Sequence, residues 1–225
     1  MKTWLIASFF SLALSATAQH AAWGPPQFGI HLKPTDLVNF NPRFRAGVQV
    51  QAGPFAFILD AAHHLFLQKR WIRQHDERGY TYFNLRPELR YYLHRETARR
   101  TPFYGRYLSL EAAVSETRLK LGPDTFQDSD QLRYTFDSAT RIRRKTSFLL
   151  KTGFSYTWRK QLYVDIFWGL GASRRSFRYI EEVNKTRTFK PPTEAWGMSS
   201  DNRPEGTRWV LDMSLGLRLG IDLGR

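Results

Sequence analysis

The chain has 225 residues, no cysteine, and 34 lysines and arginines against 20 aspartates and glutamates, a formal net charge of +14 at pH 7. That length fits one domain or two small ones, and a hydrophobic content of 42% is too high for a disordered chain. No apolar run approaches the roughly 18 residues of a helical membrane span, and the lack of cysteine excludes a lipidated N-terminal Cys, Cys-ligated zinc and thiol catalysis.

In chain order, the first element is an address. Met1 to Thr3 form a short cationic start, Trp4 to Ala13 an apolar run, and Ala16-Thr17-Ala18 a set of small residues suited to cleavage. This pattern predicts a secretory signal peptide over 1–18, cut before Gln19, with residues 19–225 forming one exported domain.

From Gln27 onward the dominant period is two, which places alternate side chains on opposite faces of a strand. Three shorter segments come first: Gln27 to Leu32 with Gly29 and His31 on the polar face, Phe44 to Val50 with Arg45, Gly47 and Gln49, and Phe55 to Leu67 with Asp60 and His64. Next, Phe83, Leu85, Leu89, Tyr91 and Leu93 alternate with Asn84, Arg86, Glu88, Arg90 and Tyr92. Leu108, Leu110, Ala112 and Val114 alternate with Ser109, Glu111, Ala113 and Ser115. Phe148, Leu150, Phe154, Tyr156 and Trp158 alternate with Ser147, Lys151, Gly153, Ser155 and Thr157. Leu162, Val164, Ile166, Trp168, Leu170 and Ala172 alternate with Tyr163, Asp165, Phe167, Gly169, Gly171 and Ser173. In the last segment Trp209 to Leu223 are apolar at every second position, against Asp212, Ser214, Gly216, Arg218, Gly220 and Asp222. The sum is eight strands.

The connections alternate too. Gly53-Pro54, Arg95 to Pro102 and Arg159 to Gln161 are short, whereas Gln68 to Thr81, Gly122 to Lys145 and Glu182 to Gly206 are long and polar; the connection near Val38 to Asn41 breaks the contrast. Short turns at one end and long loops at the other predict an all-β fold, an eight-stranded antiparallel up-and-down transmembrane β-barrel.

Period two alone fits a soluble barrel as well, and the composition of the polar face separates the two. Its glycines and small residues suit a crowded lumen. Its charges have both signs and can pair internally: Arg45, Arg86, Arg90, Lys151 and Arg218 with Asp60, Glu88, Glu111, Asp165 and Asp212. The apolar face then meets lipid, with Tyr91, Tyr104, Tyr107, Trp158, Trp168 and Trp209 as candidate interfacial aromatics. An eight-stranded barrel fills its interior with side chains, so an open pore is not expected.

The run Leu85-Arg86-Pro87-Glu88-Leu89-Arg90-Tyr91-Tyr92-Leu93, the segment Tyr107 to Glu111, Lys151-Thr152-Gly153-Phe154-Ser155-Tyr156 and Phe167-Trp168-Gly169-Leu170-Gly171 resemble the small Bacteroidota-type outer-membrane barrels of unknown function. More loosely the chain is similar to OmpA-like barrels. The resemblance implies a Gram-negative outer-membrane location and brings no catalytic residues.

Outside the strands, Lys69, Arg70, Arg118, Lys120, Arg143, Arg144, Lys145, Arg174 and Arg175 are expected at the loop-side rim, where clustered cations meet the phosphates of lipopolysaccharide. The loop Glu182 to Gly206, with Lys190-Pro191-Pro192, Trp196 and Met198, is a candidate for folding over the mouth or docking a partner such as a larger membrane complex. Adjacent His63 and His64 face opposite ways on a strand and cannot share a metal. No phosphate loop, Gly-x-Ser-x-Gly elbow or His-Glu-x-x-His occurs. The expectation is therefore a monomeric, non-enzymatic barrel without cofactor, metal or nucleic-acid partner. A lipid-modifying enzyme using His64 and a soluble periplasmic lipocalin-like barrel are the alternatives.

Overall fold

The structure, a computed structural model, describes residues 25–36, 43–64, 81–93, 103–127, 132–158, 161–188 and 205–224. The signal segment 1–18 lies outside them. The described chain forms strands β1 (Gln27–Leu32), β2 (Arg43–Ala52), β3 (Phe55–His64), β4 (Thr81–Tyr92), β5 (Gly105–Leu121), β6 (Asp124–Gln127), β7 (Arg133–Phe136), β8 (Ser138–Trp158), β9 (Leu162–Val183), β10 (Thr186–Arg187) and β11 (Gly206–Asp222), with one turn of 3-10 helix at Pro34–Asp36.

Eight of these close into a ring in the order β1-β11-β9-β8-β5-β4-β3-β2, every neighbouring pair antiparallel. Closure joins the first strand to the last, with Gly29 opposite Asp222 and Leu32 opposite Leu219. A closed ring leaves no strand edge to pair with another chain. The turn between β2 and β3 is tight: Gly53 has φ 58°, in the left-handed region where a side chain would be strained.

The alternation read from the sequence is the alternation of the wall. Leu110, Trp209 and Leu215 point outward and are 63%, 64% and 77% exposed. Phe28 and Ile30 on β1, Phe44 and Val48 on β2, Phe55 and Phe57 on β3, Phe83 and Leu89 on β4, Phe148 and Leu150 on β8, and Ile166 and Trp168 on β9 do the same. The opposite face is buried and ionic. Tyr107 is a correction to the expected aromatic girdle: it shares its face with Ser109 and Glu111, and is fully buried in the interior.

The wall is uneven. β1 to β4 have 6 to 12 residues, whereas β5, β8, β9 and β11 have 17 to 22. A second correction follows from this. The stretch from Gly122 to Lys145, read as a loop because it is polar, contains β6, β7 and the first turnless third of β8. β10, β7 and β6 pair into a small separate sheet, and Leu121, Phe136, Ala139 and Tyr179 form an apolar cluster beneath it. Of the small sheet, β7 supplies Phe136 to this cluster and packs Tyr134 against it. The segment Phe55 to Leu67 is described as strand only to His64, and residues 189–204 of the last long loop lie outside the described residues.

Candidate functional site

The interior holds two layers of charge. In the deeper one, Arg86, Arg90, Lys151 and Arg218 meet Asp60, Glu88, Glu111 and Asp165, four cations and four carboxylates from β3, β4, β5, β8, β9 and β11. Arg218 lies at the centre, with Nη2 at 3.0 Å from Asp60 and 2.7 Å from Glu88, and Nη1 at 3.1 Å from Asp165. Arg90 donates to Glu88 at 2.7 Å and to Asp165 at 2.5 Å. Lys151 donates to Glu88 at 2.6 Å and to Glu111 at 2.8 Å, and Arg86 donates to Glu111 at 3.1 Å. Removing charges from water is costly, and equal numbers in mutual contact are what makes such a layer tolerable.

Aromatic rings pack against this charged layer. Phe167 lies beneath Lys151 at 4.0 Å and Arg218 at 4.4 Å from its centroid, and Tyr107 stacks on Arg90 at 3.9 Å while its hydroxyl donates to Asp165 at 2.7 Å. His31 Nε2 lies 2.5 Å from Asp60, and its Nδ1 lies 3.2 Å from the Tyr163 hydroxyl. Glycine makes room for the large groups: a Cβ at Gly220 would collide with the Tyr163 ring, and one at Gly153 with the Tyr107 hydroxyl.

Arg45 and Asp212 belong to a second layer, farther along the lumen from the Gln27 and Asp222 end. Arg45 meets Asp36 at 2.8 Å. Lys145 meets Asp212 at 2.7 Å, and Arg175 approaches the same carboxylate at 3.9 Å.

The residues expected at the basic rim divide between two faces, because neighbours on a strand point opposite ways. Arg118, Lys120, Arg144 and Arg174 are exposed on the outside, where Arg178 joins them. Lys145 and Arg175 point inward, and Arg143 is half-buried near the Phe177 ring, 5.8 Å from its centroid. Lys69 and Arg70 lie outside the described residues. On the outer face Glu116 accepts from Arg118 at 2.8 Å and from Arg144 at 2.7 Å. Those two hydrogen bonds hold its carboxyl below the usual carboxylate range.

His63 is exposed on the outer face, and the His64 side chain lies outside the described residues. Among the described residues no group of three or more His, Cys, Asp or Glu is arranged to hold a metal. The polar-face parity of their strands places His31 and Tyr163 in the interior, as the sequence predicts, though it gives them no part in the ionic network; Lys33 and Asp36 are not anticipated, lying in a connection without periodicity. Comparisons with family models, curated proteins and solved structures gave no match to this chain.

Proposed function

We propose that this chain is a non-enzymatic outer-membrane β-barrel, monomeric, with a lumen plugged by paired charges, acting through its loop-side end on lipopolysaccharide, surface ligands or a larger membrane complex. One observation carries the reading: all eight ring strands expose large apolar side chains outward, while the paired charges of Asp60, Glu88, Arg90, Glu111, Lys151, Asp165 and Arg218 face in. In water that arrangement is inverted. In a bilayer it is the stable one, because lipid covers the apolar belt and ring closure satisfies the backbone.

The exposed cations next to the belt suit the phosphates of lipopolysaccharide. Beyond Val114, Phe148 and Ala172 on the outer face of β5, β8 and β9 stand Arg118, Arg144, Arg174 and Arg178. The non-enzymatic assignment is supported by the deep carboxylates, each already engaged by at least one guanidinium or ammonium group.

The test is the gel mobility of the protein in isolated outer membranes, with and without boiling in SDS. A faster-running unboiled form, converted by heat, is the expected result; recovery of the protein in the soluble fraction with no mobility shift would overturn the reading.

A further inference from the structure

Above the neutral deep layer lies a cavity of about 420 Å³ whose charges do not balance. Its lining carries Lys33, Arg43, Arg45, Arg86 and Lys145 against Asp36 and Asp212; Arg86 is engaged by Glu111 of the deep layer, and Arg175 stands beside the lining, 3.9 Å from Asp212. The floor is Leu149, directly above Lys151 on the inner face of β8. The side wall is the 3-10 turn, which brings in Lys33 and Asp36.

Burial makes the imbalance informative. Lys33 and Arg45 are 5% and 3% exposed, so bulk water does not screen them. Arg45 spends one nitrogen on Asp36, and its Nε has no hydrogen-bond partner; the same is true of the buried Nε atoms of Arg43 and Arg175. Guanidinium donors without a protein partner beside a cavity are available to a ligand oxygen that replaces water. Arginine forks are suited to oxyanions with several oxygens, and the volume lies within the range of small-molecule sites.

We propose that this chamber is a binding site for a small soluble multivalent oxyanion, of the phosphoryl or polycarboxylate type, held by Arg43, Arg45, Arg175 and Lys33 above the sealed deep layer. The ligand neutralises the surplus that the chain leaves uncompensated. The chamber lies on the side of the deep layer away from the Gln27 and Asp222 end of the barrel.

The experiment uses the full-length protein, purified and folded in detergent, titrated calorimetrically with pyrophosphate and with citrate at constant ionic strength. Saturable binding of either anion at one site per chain is expected, with glucose giving none. Arg45→Gln and Arg175→Gln are each expected to weaken binding at least tenfold. Arg175 is the safer probe, being partly exposed and 3.9 Å from its carboxylate; heat-dependent gel mobility shows whether each variant remains folded. Absence of saturable binding to the folded wild type, or equal affinity in the wild type and a folded Arg175→Gln, would overturn the site. Binding seen only with phosphorylated lipid in nanodiscs, and with neither soluble anion, would overturn the soluble ligand.

Discussion

Glu88 and Glu111 are direct register partners on adjacent strands, both pointing into the lumen. Like charges so placed repel, and the Lys151 ammonium bridges them, 2.6 Å from one carboxylate and 2.8 Å from the other. Replacing Lys151 by Met is expected to destabilise the barrel by roughly 3–5 kcal/mol, because it removes one partner from a buried ionic layer and leaves four carboxylates with three cations. Denaturant unfolding in micelles measures it. Adding Glu111→Gln to Lys151→Met is expected to restore part of the loss, and strictly additive effects would show that the bridge is not the reason.

Tyr163 occupies the space that a side chain at position 220 would need. Gly220→Val is therefore expected to cost about 1–3 kcal/mol through overpacking. Tyr163→Leu in the same chain is expected to recover part of that cost, even though it forfeits the contact with His31. An equally destabilised double variant in the same unfolding assay would contradict the steric account.

Outward tryptophans report the surroundings of the belt. Trp168 lies midway along its apolar face, paired across to Leu215 and Thr152, whereas Trp158 and Trp209 are near opposite ends of theirs. In single-tryptophan variants reconstituted into bilayers, bromine deep in the acyl chains is expected to quench Trp168 most. Bromine near the head groups is expected to favour Trp158 and Trp209. Quenching of Trp168 by aqueous iodide as strong as that of free indole would place the belt in water.

The pairing on the outer face sets a pH response. Hydrogen bonds from Arg118 and Arg144 keep the Glu116 carboxyl below the usual carboxylate range, so its stabilising contribution is present above that range and is lost as pH falls through the lowered value. Protonation, or Glu116→Gln at neutral pH, frees two arginines. Flotation with vesicles containing phosphorylated lipid is expected to show stronger retention of Glu116→Gln than of the wild type. Weaker retention would mean that Glu116 orders these arginines for lipid and does not compete with it.

Much of the architecture was legible because a barrel wall repeats one rule. Gln27 to Leu32 was read with the limits it has, and Arg86, Glu88 and Arg90 were assigned to one face by parity alone. Period two also marked Tyr107 as an inward residue, but its aromatic character drew it to the girdle. The strand extending β8 before Lys145 was missed because its inner face meets a small local cluster around Phe136 and Tyr179, not a continuous apolar side. Lys33 and Asp36 were hidden for a different reason: their placement over the lumen depends on how a non-repeating connection folds back against β2 and β11.

The position of Arg218 near the end of the chain bears on how the molecule is made. Asp60, Glu88 and Asp165, the carboxylates it neutralises, all precede it in the sequence and belong to β3, β4 and β9. Until β11 docks, the deep layer has four acids and three bases, and an unfinished ring carries an excess negative charge at its heart. The last strand thus delivers the missing counter-charge in the same event that joins it to β1. A β11 docked one residue out of register would turn Arg218 to the outer face and leave those carboxylates one base short.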